Sequence, residues 1–497
     1  MVQEKHGNFT NIDPATAAPI IVGSGQLYQP DYNNFAPRVS VAWDVTGKGK
    51  TIVRAGYGIF YDAFSQDMFI GHLPFNSGFD PGPAYSGFSF DPHPISSASA
   101  SGVAFAPGTP VFVAAAPMSD AFGVDQHVRT PYMENYNLNF QQELSKKMVF
   151  EIGYVGSGGH KLLRFRDINQ PTAAQIRAYN YQANGCCVPA RLNPALVYIN
   201  YQESSANSNY NALQTSFRIN DWHGLTTTVN YSWSHSIDDA SDGEDFVPNA
   251  SQPNDSSGAI RFNRGNSNFD IRNRLTWNFI YQFPNRKGDW SRLTDGWGLN
   301  GIVTVQSGQP FQLNYNFEDD YDGSGEFFGR PDVVGKIVYH PRDPNNFLGL
   351  TAFAVPCTLV GGNAATNCQF AGGVNSMHFG NEGRNSLIGP NFRQLDFSIF
   401  KDTQINERVK LELRFEAYNL LNHPNFANPY LPAFIADAAA HGISDGTAGQ
   451  AAPCTGLAIG RSCGSLGLTA TGDVGIGYPF LGNGGPRGLQ IAAKISF

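Results

Sequence analysis

Apolar residues return at every second position in eleven separate windows of this chain, and the links between the windows alternate short and long. A period of two marks an extended strand whose two faces meet different surroundings. The longest clean run is Leu225, Thr227, Val229, Tyr231 and Trp233, opposed by Thr226, Thr228, Asn230, Ser232 and Ser234. The other windows lie at 39–45, 53–61, 136–140, 150–154, 213–219, 271–283, 299–305, 395–399, 409–417 and 489–497. Links 46–50, 145–147, 221–224, 284–296 and 402–408 are short. Links 62–131, 164–210, 238–270, 312–393 and 422–488 are long and rich in Gly, Pro, Asn and Asp. A soluble sandwich or propeller repeats short turns at even spacing. Strict alternation of turn and loop is the pattern of an all-β, antiparallel transmembrane barrel, with short periplasmic turns and long extracellular loops.

Charge and hydropathy narrow the choice further. Only 15% of the 497 residues are charged, against about 25% in a soluble domain. The formal charge of −8 argues against nucleic acid as a partner, because a nucleic-acid binder shows a basic face. No apolar run approaches the roughly 20 residues of a membrane helix. A barrel escapes that test, since its polar lumenal positions cancel its lipid-facing ones. Arg272, Arg274, Lys410, Glu412, Arg414 and Glu416 sit at polar-face positions. They are costly in a sealed core but suit a wide, wet lumen. Trp43, Tyr61, Trp277, Tyr281 and Phe283 lie near strand ends, where interfacial girdles form.

Parity adds a constraint. A long loop precedes the final strand, so that strand runs toward the periplasm. Counting back, the strand at 39–45 runs the same way. Bacterial single-chain barrels have an even number of strands, so eleven make a partial barrel. The expectation is an extracellular-side lead-in at 1–38 and, over 39–497, a sheet with two open edges. The first residues, MVQEKHGNFT, lack the features of a signal peptide.

Several segments together resemble the C-terminal barrel of TonB-dependent outer-membrane receptors, and within them the Oar-like subgroup with a carboxypeptidase-regulatory-like domain. They are APRVSVAWDVTGKGKTIVRAGYGIFYD at 36–62, PYMENYNLNFQQEL at 131–144, FEIGYVGSGGHKLLR at 150–164 and SNYNALQTSF at 208–217. YSWSHSIDD at 231–239, DIRNRLTWNFIYQFP at 270–284 and VQSGQPF at 305–311 follow. GRNSLIGPNF at 383–392 and DFSIFKDTQINERVKLELRFEAYNLLNHPN at 396–425 complete the series. The resemblance implies the last eleven strands of a 22-stranded barrel. It implies an outer-membrane component for uptake or export of a large substrate, TonB-dependent in the full-length protein. The plug, TonB box and signal peptide are absent from this sequence. The TonB complex would therefore be reached only through N-terminal parts not present here. The alternatives are an adhesin-like surface protein that binds through the same loops, or a passive porin.

The expected partners are outer-membrane lipid, the barrel-assembly machinery and an unidentified large substrate. Leu489, Ile491, Ala493, Ile495 and the terminal Phe497 look like the signal read by that machinery, whose physical basis is pairing at an exposed strand edge. Acidic clusters at Glu318, Asp319, Asp320, Asp322 and Glu326, and at Asp238, Asp239, Asp242, Glu244 and Asp245, have the hard oxygen ligands of Ca²⁺. Asp319, Asp320 and Asp322 are weak candidates for Ca²⁺. Neither cluster has EF-hand spacing, and solvated acidic loops are the preferred reading. Cys357 and Cys368, and Cys454 and Cys463, are spaced to close short loops as disulfides. Cys186 and Cys187 are adjacent, and a bridge between neighbours is strained. No cofactor is expected. Catalytic motifs are missing: GxSxG fails at Ser157, where Val155 replaces the first glycine. An enzyme is the least supported reading.

Overall fold

Alternation of side chains across a pleated backbone sends one set of each window to one face and the other set to the opposite face. The eleven windows form the bodies of eleven long strands. In chain order they are β1 (Arg38–Asp44), β2 (Thr51–Tyr61), β3 (Tyr132–Ser145), β4 (Met148–Asp167), β5 (Leu196–Trp222) and β6 (Leu225–Asp238). Then follow β7 (Asn273–Gln282), β8 (Trp297–Gln306), β9 (Phe392–Gln404), β10 (Lys410–Tyr418) and β11 (Gly488–Ser496). The computed structural model describes residues 28–62, 118–179, 196–241, 260–285, 290–315, 329–354, 377–429, 464–470 and 486–497, with shorter pieces elsewhere. The strands pair in sequence order as one antiparallel meander. β1 and β11 therefore run in the same direction. Among the described residues each of them pairs with one neighbour only.

The ladder carries the apolar set across the whole sheet. Trp43 faces Val53, Val53 faces Phe140, and Phe140 faces Ile152. Leu213 faces Trp233, Val229 faces Trp277, and Trp277 faces Val303. Val303 faces Leu395, Phe397 faces Ala417, and Phe415 faces Ile491. These side chains are not a core: Trp43 is 59% exposed, Leu138 55% and Ile491 82%. The opposite face is polar. Arg54 donates to Gln141 at 2.8 Å, and Arg218 pairs with Glu151 at 3.4 Å. Arg414 lies between Glu412 and Glu416 at 2.5 and 3.4 Å.

The short turns are set by local chemistry. Asp44 accepts the Gly49 and Thr46 N–H groups at 2.7 and 3.2 Å, closing the β1–β2 turn. At the β5–β6 turn Gly224 has φ +84°. A Cβ there would sit 2.3 Å from the Gln282 carbonyl oxygen, so only glycine fits. Beyond β10, the asparagines of the segment at 419–425 tie three strands. Asn419 donates its N–H to Asp396 at 2.8 Å, Asn425 accepts from the Arg393 N–H at 2.9 Å, and Asn422 accepts from the Arg487 N–H at 3.0 Å.

Two strands exceed the sequence expectation. β4 runs for 20 residues and β5 for 27, so the link read as 164–210 shrinks to 168–195. Above the apolar belt, Gly156, Gly158, Gly159 and the polar stretch 203–209 show no alternation. Backbone pairing nevertheless continues as far as Asn200 opposite Asp167. A short strand, Met118–Val124, pairs in parallel with the start of β5. Asn11 exchanges two hydrogen bonds with the Val124 backbone, at 2.7 and 2.8 Å. The Thr130 N–H donates to Asp31 at 3.1 Å. The lead-in thus lies at the long-loop end of the sheet.

The principal apolar core sits in the loops rather than in the sheet. Phe311, Leu313, Phe347, Leu348, Leu350, Ala352, Phe353, Met377 and Leu387 from the β8–β9 loop pack together. Leu466 of the β10–β11 loop joins them. So does Ile176, from the short helix α1 (Ala173–Ala178) in the β4–β5 loop. Thr172 caps that helix by accepting the Gln175 N–H.

Candidate functional site

The loop core and the polar groups around it form a cap at one end of the sheet, and arginines fasten it there. Arg384 reaches Asp238 at the end of β6 at 2.6 Å, with both side chains 2% exposed. It also donates to the Asp238 and Asn263 carbonyl oxygens at 2.9 and 3.3 Å and to Ser241 Oγ at 2.6 Å. Asn385 donates to the Asn266 carbonyl at 2.8 Å, and the Asn266 amide returns a bond to the Asn385 carbonyl at 2.8 Å. Arg330 lies over the Phe262 ring at 4.1 Å, and Phe262 packs on Phe379 at 5.4 Å. Arg330 also donates to the Phe262 carbonyl at 2.8 Å. The β6–β7 loop is thus held against the β8–β9 loop by ion pair, amide pair and ring stack together.

Asp238 and Asp239 depart from the reading of a solvated acidic loop. Both are buried, and Asp239 is paired with Arg264 at 3.3 Å and accepts the Asn207 N–H at 2.9 Å. Their carboxylates are occupied by cations and donors of this chain, which leaves them no role as Ca²⁺ ligands. Asp242, Glu244, Asp245, Asp319, Asp320 and Asp322 lie outside the described residues, as do Cys186, Cys187, Cys357, Cys368, Cys454 and Cys463. Among the described residues no group of three or more His, Cys, Asp or Glu side chains is placed to hold a metal ion.

Among the described residues, Glu382 is the buried carboxyl of the cap that pairs with no cation at contact distance. It is 2% exposed, and one oxygen accepts the Leu313 N–H at 3.1 Å and the Ser386 hydroxyl at 3.3 Å. Burial pushes its pKa up to about 8, against the opposing effects of the Leu313 N–H, Arg330 and Ser386. Arg384 falls within the GRNSLIGPNF segment without a role of its own there, and Glu382 lies just before it and carries no sequence signal. The density of apolar residues in FLGLTAFAV at 347–355 was the available signal for a packed loop.

The terminal strand forms as expected. Leu489, Ile491, Ala493 and Ile495 face Ala417, Phe415, Leu413 and Leu411 of β10. Phe497 ends the chain 98% exposed. Tyrosine hydroxyls mark the loop-side rim of the belt: Tyr136 and Tyr154 donate to Asn211, and Tyr231 donates to Asn273. Near the turn side stand Trp222, Phe283 and Trp297.

The family model of the outer membrane beta barrel domain matches residues 1–454. No curated protein matches the sequence. Among solved structures, the chain is similar to the outer membrane transporter YddB from Escherichia coli at 11% identity and a TM-score of 0.41, covering 88% of this chain and 40% of that one. It is similar to the pyoverdine-bound FpvA of P. aeruginosa at 11% identity and a TM-score of 0.35, covering 96% and 34%. The ferric citrate transporter FecA gives 8% identity and a TM-score of 0.35, covering 93% and 38%. The chain spans 34–40% of the length of these three proteins.

Proposed function

The chain belongs to the outer membrane β-barrel domain family and so has its place in the outer membrane, and from that premise we propose that it forms wall and outer cap of a receptor-transporter for a large substrate. The observation that carries this reading is the continuous apolar face across all eleven strands, backed by a polar face and a packed cap at one end. The apolar face suits lipid, where every backbone group must be paired within the sheet. The polar face, with Arg54, Arg218, Glu151 and Arg414, suits a wet lumen. The cap offers a folded surface at the long-loop end, which the reading assigns to the cell exterior together with the lead-in at 1–38. TonB dependence and membership in the Oar-like subgroup rest on the resemblance of the segments quoted above, and both belong to the full-length protein. The edge strand β11, ending in Phe497, is assigned to recognition by the barrel-assembly machinery.

The test is the mass and N-terminal sequence of the native species in the outer-membrane fraction. A species well above 54.0 kDa with a plug upstream supports an energy-coupled transporter. A membrane species that begins at Met1 overturns energy coupling and leaves the adhesin-like or passive-pore alternatives. Deleting Phe497 is expected to lower the membrane-inserted yield several-fold while leaving the cap residues untouched.

A further inference from the structure

The cap joins four loops, and among the described residues its buried carboxyl without a contacting cation sits where the loops meet. Residues 377–391 leave the cap core, pass Glu382, and two residues later insert Arg384 against Asp238 of β6. The backbone at Glu382 is clamped on the other side, its N–H donating to the Pro331 carbonyl at 3.1 Å. At Gly380 a Cβ would meet the Arg330 carbonyl oxygen at 1.9 Å, so the two chain segments are in direct contact. The carboxyl accepts from the Leu313 N–H and the Ser386 hydroxyl. The charged and titratable groups that act on it are Arg330, from the segment before Pro331, and the phenol of Tyr339. The second carboxylate oxygen is buried and has no hydrogen-bond partner.

We infer that the cap is a two-state device, docked or released, and that the proton on Glu382 is the catch that keeps residues 377–391 docked. A neutral carboxyl in this pocket costs less than an ionised one, because one oxygen is already bonded and the other leaves an unpaired hydroxyl rather than a charge. An ionised one places a charge in a buried junction, where Arg330 stands off rather than in contact, and such a charge is expensive. Released to water, the carboxylate regains its hydration. The direction of the pH effect follows from proton counting. The docked state holds the proton up to about pH 8, whereas the released state loses it near the ordinary glutamate value of about 4.3. Between those limits the docked state binds one proton more, so docking weakens as pH rises. The release constant climbs about tenfold per pH unit in that window and levels off above it. From pH 6 to pH 8 the rise is about fiftyfold, with about a further twofold by pH 9. The inference concerns the cap alone and stands or falls without regard to what the barrel transports.

The experiment is amide hydrogen exchange on the full chain in detergent micelles at pH 6, 7, 8 and 9, corrected for the intrinsic exchange rate at each pH. Protection at Leu313, Val334, Glu382 and Gly389 is expected to fall by about fiftyfold between pH 6 and pH 8 and by about a further twofold to pH 9. Ladder amides of β7 and β8 are expected to stay unchanged. Glu382→Gln, which cannot ionise, is expected to keep the pH 6 protection throughout, and Tyr339→Phe to follow the wild type. Protection that ignores pH in the wild type overturns the proposal, and so does a wild-type slope that persists in Glu382→Gln. Should that variant fail to fold, the protonated-carboxyl infrared band of glutamate-labelled wild-type protein decides. Its loss over the same pH range as the release supports the catch, and its absence at pH 6 refutes it.

Discussion

Asp238 and Arg384 stand 146 residues apart in the chain and 2.6 Å apart in the structure. Truncating the arginine would leave a carboxylate in a dry pocket with only Ser241 to satisfy it. Arg384→Ala is therefore expected to destabilise the protein by about 3–5 kcal/mol, since breaking a buried pair strands its partner. Denaturant unfolding with cap-amide exchange measures this. Arg384→Lys keeps the charge but not the fork of donors, and a smaller loss is expected. At the opposite end, Gly224→Ala forces a side chain onto the Gln282 carbonyl in a left-handed backbone conformation. A loss of about 2 kcal/mol is expected, of the size such strain carries, with fraying confined to the β5–β6 turn and the end of β7. Asp238 and Asp239 read as a solvated pair in sequence because a carboxylate carries no mark of its partner. Gly224 was legible as part of a turn, but its contact with Gln282 was not.

Strands report their environment one by one, which is why alternation located all eleven. Each face of β8 predicts its own response to a charge. Val303 faces Trp277 and Leu395 on the apolar side, and Val303→Arg is expected to cost about 2–4 kcal/mol in bilayer refolding if it lies near the midplane. Thr304 faces Thr276 and Gln394 on the polar side, and Thr304→Arg is expected to cost a small fraction of that. Equal costs at the two positions would refute the assignment of lipid to the apolar face. Alternation fades at 156–159 of β4 and at 203–209 of β5, where glycine and polar residues fill both faces, although hydrogen bonding along the ladder persists. The apolar run at 196–201 lies beyond that stretch, which cuts it off from the belt.

At the scale of the molecule, sheet and cap are held by different means. The sheet has a backbone ladder and an exposed apolar face; the cap has a small packed core and a set of buried polar latches. Leu350 is fully buried in that core. Leu350→Ala is expected to cost about 2–5 kcal/mol, as large-to-small core changes do. Exchange should rise at Leu348, Leu350 and Phe353 while β7–β8 amides hold their protection. Loss of protection in both regions together would mean that cap and sheet unfold as one unit. The eleven strand bodies, the two faces and the short turns were determined by sequence alone. All of these follow from local period and local turn chemistry, which a chain expresses before it is folded. The cap, the Asp238–Arg384 latch and the buried Glu382 were decided only by tertiary structure. Their energies depend on which distant groups share a dry pocket, and no local pattern encodes that.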